Sequence, residues 1–475
     1  MGGTLFDMPN DYGPVQASFG VEYRKDAITS IPDAVARDGL FFGYFSDGGA
    51  IGSKDMSEAF FEMEAPLLRG EKFAEELNLN VSARITDDEI YGSNSTYSAK
   101  IGWRPINSLL IRGTYGTAFR APNLRELFLM SQTGFNTIFD PCFVPEEALD
   151  IFTGEYNSAL DPREAYVLDN CRATGMDPLT PGFASYSVEQ STGGSLTLDP
   201  ETSDSWTAGF SWEQEMTNEF DFGVGATYYE VDIDNTIIEP NGQYIVNDCY
   251  YTLTGQSAFC DRISRDADLA IDLLDNGFLN RDNEKARGVD VNITFGDDLL
   301  VGNNVFEIEF DARATRYIER STLFTDDDGN VDYENYAGEW GFPSWKGETT
   351  LAVTWEKWRA QLRSNFTAAV EQEVLGIDPF SDIYDSQSTG TFGDTCLGTP
   401  VTCRDVGFAD DYWVHTLSVS YREDNWGASI GVRNIQDKAP PMVDGSEVTS
   451  KNNAAIGYGY DMYGRTIFVN AAYQF

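Results

Sequence analysis

The chain has 475 residues, and 32 Lys plus Arg against 77 Asp plus Glu leave a formal charge of −45. That excess repels nucleic-acid phosphate, and a mean hydropathy of −0.34 without any apolar run of about 18 residues excludes helices that span a membrane. Yet 31 Phe, 24 Tyr and 9 Trp are more aromatic side chains than a solvated acidic chain can use, so the composition points to a large β protein.

Period-two alternation of apolar and polar residues predicts about fourteen strands. In chain order they fall near 15–23, 57–67, 77–85, 97–103, 109–115, 206–212, 220–233, 289–295, 306–312, 351–355, 362–368, 417–421, 428–435 and 467–475. The last is the clearest, with Ile467, Val469, Ala471, Tyr473 and Phe475 on one face and Thr466, Phe468, Asn470, Ala472 and Gln474 on the other, mostly polar one. The polar parity carries Arg112, Glu213, Glu307, Glu309, Asp311, Arg313, Arg363 and Arg422, too many charges for a dry core and suited to a wet or plugged lumen.

The connectors alternate between short and long. Short ones fall at 105–108, 215–218, 298–303, 356–357 and 423–425, and long ones at 120–202, 235–285, 319–343, 371–410 and 437–463. Strict alternation puts all tight turns at one end of the sheet and all long loops at the other. This is the arrangement of a transmembrane antiparallel β-barrel with short periplasmic turns and long extracellular loops. Trp103, Trp212, Trp355, Trp358, Trp426 and Tyr421 cluster beside the tight turns, as an interfacial aromatic girdle requires.

The 6 cysteines form three local couples, Cys142 with Cys171, Cys249 with Cys260 and Cys396 with Cys403. Disulfides are the preferred reading and free buried thiols the alternative. No CxxC spacing occurs, and His415 is the one histidine, so a Cys/His zinc site is not expected. Disulfides need an oxidising compartment, whereas the opening MGGTLFDMPNDYGP lacks the charged and apolar segments of a signal peptide. A start lying upstream of Met1 reconciles the two.

Five ordered segments are similar to TonB-dependent outer-membrane receptors. They are RGTYGTAFRAPNLRELF (112–128), PETSDSWTAGFSWE (200–213), ARGVDVNITF (286–295), GVRNIQDKAPP (431–441) and YDMYGRTIFVNAAYQF (460–475). The positions carrying the resemblance are Phe119, Arg120, Ala121, Pro122, Glu126, Phe128, Asn434, Asp437, Gly464, Arg465 and Phe475. The resemblance implies an outer-membrane barrel of about 22 strands preceded by a plug domain, so the chain reads as the C-terminal part of such a barrel. The missing plug and N-terminal strands, and a TonB-type energy-coupling protein acting through the plug, are the partners it implies. Outer-membrane lipid, lipopolysaccharide and a surface lipoprotein are further expected partners, and nucleic acid is not.

Nothing in the motifs indicates an enzyme, and no cofactor is expected. Asp326, Asp328, Asn330 and Asp332 have calcium-like spacing, but Gly329 does not stand where an EF-hand loop needs it, so a solvated loop tip is preferred over Ca²⁺. The expected function is nutrient uptake, with ligand contacts among the loop aromatics Phe139, Tyr156, Tyr244, Tyr250, Trp340 and Tyr384. Oligosaccharide is the favoured class, because aromatic faces stack on sugar rings and a charge of −45 disfavours anionic chelates. A passive pore or surface-binding protein without a plug is the alternative.

Overall fold

A computed structural model describes the chain apart from residues 43–44, 151–152, 216–219, 253–256, 326–330, 372–407, 442–449, 452–453 and 475. Cys396, Cys403, Tyr384, Phe475 and residues 326–330 of the acidic tract at 325–334 therefore lie outside the described residues.

The alternation becomes one antiparallel wall in which strands pair in chain order, hairpin after hairpin. The wall strands are β1 (Gly2–Asp7), β2 (Pro14–Ser30), β3 (Ala50–Glu71), β4 (Ala74–Asp88), β5 (Gly92–Ile106), β6 (Leu109–Arg120), β7 (Glu201–Glu215) and β8 (Phe220–Ile238). They continue as β9 (Leu279–Val301), β10 (Asn304–Thr325), β11 (Trp345–Trp355), β12 (Trp358–Thr367), β13 (Tyr412–Arg422), β14 (Trp426–Arg433) and β15 (Thr466–Tyr473). The short strand Val331–Asn335 hangs on the outer end of β10. Among the described residues β1 pairs only with β2 and β15 only with β14, so the wall is an open sheet.

Register explains why one face is apolar throughout. Phe222 stands opposite Phe295, and the same row continues through Phe310, Leu351, Leu362, Leu417, Val432 and Ile467. One residue away the opposite face reads Thr294, Asp311, Thr350, Arg363 and Thr416. A slip of one residue would carry charge into lipid and Phe into the lumen, so the pattern pins the pairing. On the polar face Arg359 pairs with Glu309, Arg363 with Glu348, and Arg313 with Asp311 at 3.1 Å.

Aromatics bound the apolar band at both ends. At the tight-turn end Trp358 meets Tyr421 (centroids 4.8 Å) and Trp212 meets Phe222 (5.8 Å). At the long-loop end Trp206 meets Tyr228 (4.8 Å), Tyr97 meets Tyr115 (6.0 Å) and Phe366 meets Trp413 (4.6 Å). The sequence reading found only the first girdle.

Three expectations are corrected. A fifteenth strand, β1, precedes the predicted fourteen; with Gly2 and Gly3 it is too short to show a period. The strands also run longer than the apolar pattern, to 23 residues in β9. Beyond Tyr228 and Val289 the outward parity turns charged, with Lys285 facing Glu230 (3.0 Å) and Arg287 facing Glu319 (2.6 Å), while backbone pairing continues. The wall thus projects past its apolar band. Finally, connector alternation is not strict: at the long-loop end β4 and β5 are joined by Glu89–Tyr91 alone. There Asp88 Oδ1 accepts from the N–H groups of Ile90 (2.9 Å) and Tyr91 (3.2 Å), closing an Asx turn.

The register makes a parity test direct. Ile293→Arg on the apolar face should cost about 2–4 kcal/mol in urea unfolding from lipid vesicles, whereas the neighbouring luminal Thr294→Arg should cost less than about 1 kcal/mol.

Candidate functional site

Two clasps hold the outer rim. At the first, the end of β6 turns through Arg120-Ala121-Pro122 into a short helix, Leu124–Phe128. Arg120 donates to both oxygens of Glu126 (3.1 Å each) and to Glu201 Oε1 (2.6 Å). Asn123 accepts from the N–H groups of Arg125 (2.9 Å) and Glu126 (3.0 Å), and Glu126 accepts from the Asn123 N–H (2.7 Å), a complete capping box. The Pro122 carbonyl accepts from Lys54 Nζ (2.9 Å), itself buried against Asp88 (3.3 Å). Phe128 lies flat on Gly52, where a Cβ would stand 2.3 Å from the ring. Phe119 stays in the wall opposite Thr202.

The second clasp closes the loop between β14 and β15. Asn434 is fully buried, donating to the Lys438 carbonyl (2.9 Å) and accepting from its N–H (2.8 Å). Asp437 accepts from the Arg465 N–H (2.8 Å), and Arg465 Nε donates to the Ile435 carbonyl (3.1 Å). Gly464 takes φ +68° beside Asp437 Oδ1, a conformation other residues rarely adopt. Of the motif positions, Arg120, Pro122, Glu126 and Phe128 meet in the first clasp and Asn434, Asp437, Gly464 and Arg465 in the second.

Above the rim, loops 121–200 and 239–278 merge into a cap with its own core. Strands Gln132–Phe139, Ser185–Thr192, Ile271–Asp275 and Ile263–Arg265 form a small mixed sheet, packed with helices Ala165–Ala173 and Gly242–Tyr251. Ile138, Val188, Ile245, Val246, Tyr250 and Leu274 fill the core. Cys142 is bonded to Cys171 and Cys249 to Cys260, one bridge in each loop. Two buried ion pairs lock the cap. Arg265 reaches Asp140 at 2.6 and 3.0 Å, and Asp140 also accepts from Tyr186 (2.9 Å). Arg163 grips Asp161 with one edge of its guanidinium, Nε (2.9 Å) and Nη2 (2.8 Å), and donates from Nη1 to the carbonyls of Pro141 and Phe143 (2.9 Å each). Those hydrogen bonds from Arg163 hold the Asp161 carboxyl below its ordinary 3.8.

The predicted ligand contacts scatter. Tyr250 is 1% exposed within the cap core, where Arg265 donates to its hydroxyl (3.0 Å). Tyr156 donates to Asp161 (3.0 Å), and Tyr244 packs edge-on against Phe259 (5.6 Å). Phe139 is partly exposed at a strand end. Trp340 is buried in a separate cluster with Tyr458 (6.2 Å) and Tyr460 (5.7 Å), where burial pushes the Tyr460 hydroxyl up to about 12. Tyr250 and Trp340 thus serve as packing here, because an aromatic in a long loop is also the residue that gives the loop a core.

The sequence reading missed a recess of about 1050 Å³ between the first clasp and the luminal face of β2 to β6. Arg24, Lys54, Glu58, Arg84, Thr86 and Thr96 line it. They come from four strands, and the only linear signal was their shared polar parity.

Residues 2–435 match the family model for the TonB dependent receptor-like β-barrel. The chain belongs to the TonB-dependent receptor family. Members of this family are outer-membrane β-barrel transporters, so the apolar face is the lipid face, the long-loop end is extracellular, and the chain is not an enzyme. Its fold is similar to a mutant ferric enterobactin receptor from Pseudomonas aeruginosa in complex with enterobactin (TM-score 0.57, 14% identity, 100% of this chain and 53% of that one). It is also similar to the siderophore receptor PirA from Acinetobacter baumannii (TM-score 0.54, 13% identity, 99% and 53%). The chain thus spans about half the length of these solved TonB-dependent receptors.

Two outcomes follow for the cap. Cys171→Ser opens a bridge spanning 29 residues and should destabilise the cap by about 3 kcal/mol, read as faster proteolysis within 121–200 while barrel strands stay protected. A depressed Asp161 pKa stabilises the cap above its ordinary value and loses that contribution as pH falls through the folded value. Hydrogen-exchange protection at 161–173, taken relative to the intrinsic rate at each pH, should therefore fall as pH drops below the ordinary carboxylate value, and Asp161→Asn should flatten that dependence.

Proposed function

We propose that the chain forms the wall and outer rim of a receptor for energy-coupled uptake of a neutral, ring-bearing solute, an oligosaccharide. Charge balance at the rim carries this reading. Arg24 faces Asp26 (3.2 Å), Lys54 faces Asp88 (3.3 Å), Arg84 faces Glu58 (2.9 Å), and Arg120 is held between Glu126 and Glu201. A ferric chelate carrying negative charge would find little surplus positive charge there. Exposed rings support the same class: Phe45 of the β2–β3 loop sits 5.4 Å from Phe135 of the cap. Coupling would run through a plug and a TonB-type protein, as family membership implies.

A second reading is siderophore uptake. It draws on the names of the solved relatives and on Arg125, which donates to Gln132 (3.0 Å) and stacks on Phe278 (5.6 Å) with no carboxylate partner among the described residues. A passive pore is the third.

Outer-membrane vesicles from cells expressing the receptor should bind at least one of maltohexaose, cellohexaose and xylohexaose and leave a ferric catecholate unbound. Binding of the catecholate alone would replace the sugar reading with the siderophore one. Uptake that persists without a TonB-type protein would favour the passive pore.

A further inference from the structure

We infer that the free edge of the cap sheet is a docking strand for an extended, basic polypeptide segment, which adds to the ladder at Phe135 and Thr137. The surface lies in the extracellular loops and does not depend on the oligosaccharide reading.

The strand Gln132–Phe139 ends the cap sheet on one side, with Ser185–Thr192 as its neighbour within the sheet. Its outer edge is filled at both ends by this chain. At one end the β2–β3 loop runs beside it, so that the Thr133 N–H donates to the Ser46 carbonyl (2.8 Å) and the Gly48 N–H to the Ser131 carbonyl (2.9 Å). At the other end Gln243 imitates a strand, accepting from the Phe139 N–H (2.6 Å) and donating to the Phe139 carbonyl (3.0 Å). Backbone groups alternate between the two edges of a strand, so the N–H and C=O of Phe135 and Thr137 point the same way as those of Thr133 and Phe139. Among the described residues they have no partner. The stretch from Thr133 to Phe139 spans about 20 Å, enough for a short added strand. Gln132–Phe139 also contains no Lys and no Pro, the residues that usually blunt an open edge.

Side chains and charge say what the edge would take. Phe135 is 51% exposed and Phe139 is partly exposed on the same face, with the exposed Phe45 5.4 Å from Phe135, so an added strand can lay apolar side chains on these rings. Glu189 stands opposite Phe135 on the neighbouring strand. Loops 121–200 and 239–278 together carry 19 Asp plus Glu against 5 Lys plus Arg, and two of those cations, Arg163 and Arg265, are held inside the cap in ion pairs. The cap therefore repels acidic chains and attracts basic ones, and the unpaired amides select an extended backbone among them.

The test uses purified receptor in a neutral detergent and a fluorescein-labelled octapeptide alternating Lys and Val, read by fluorescence polarisation. The peptide should bind, and residue-resolved hydrogen exchange should slow at Phe135 and Thr137 when it does. The same peptide N-methylated throughout keeps its charge and side chains but cannot donate to the ladder, and it should bind about tenfold more weakly or worse. An octapeptide alternating Glu and Val should lose at least as much. Thr137→Pro removes an N–H that faces away from Ser185–Thr192, a position where an edge strand tolerates proline, so it should weaken binding about tenfold while the cap keeps its protease resistance. Equal binding of the N-methylated or the acidic peptide, no binding of the basic one, or amides of Phe135 and Thr137 already protected in the receptor alone would each overturn the docking strand. None of these outcomes bears on hexasaccharide binding, which stands or falls by its own assay.

Discussion

Backbone hydrogen bonding in a medium without water is the constraint from which the rest of this structure follows. Inside lipid each N–H and C=O must be satisfied by a neighbouring strand, so the wall is a continuous antiparallel ladder and its irregular segments are displaced to the two ends. The ladder fixes side-chain parity, and parity sorts the chemistry. Phe295, Phe310, Leu351 and Leu362 meet lipid because their backbones pair in register, and Asp311 and Arg363 are turned to the lumen by the same register. The one three-residue connection at the extracellular end obeys the same rule, with Asp88 supplying acceptors that two free N–H groups would otherwise lack.

The rim shows how charge is handled where the ladder ends. A chain with an excess of carboxylates could have left its outer end strongly repulsive. Instead Arg24, Lys54, Arg84 and Arg120 are each placed against acids, and two of them, Lys54 and Arg120, also fasten the turn that leaves the wall. A buried pair such as Lys54 with Asp88 contributes little net stability against an apolar replacement, but removing one partner strands the other. Their role is to set where the chain goes: Arg120 ties β6, the rim helix and β7 into one junction.

Much of the wall was legible because period two is written directly in residue order. All fourteen predicted strands exist, and their ends were misjudged for a physical reason: apolar alternation reports contact with lipid, whereas a strand lasts as long as its pairing. Lys285 and Arg287 interrupt the first and not the second. The disulfide couples at 142/171 and 249/260 were legible from local spacing. The site was much less so. An aromatic in a loop reads the same whether it faces a ligand or a neighbour, and only the fold shows Tyr250 and Trp340 packed inside. The recess residues lie on separate strands and meet only after pairing, as Arg84 and Glu58 do from two rows of one sheet.

The cap has a bearing on how such a receptor changes. Its core draws Ile138 and Val188 from one extracellular loop and Ile245, Tyr250 and Leu274 from the next, and Arg265 of the second loop neutralises buried Asp140 of the first. Neither loop can be exchanged alone without exposing half a core and leaving a charge unpaired. The unit of inheritance and of engineering on this surface is therefore the loop pair, and grafting a new specificity here means transplanting 121–200 and 239–278 together.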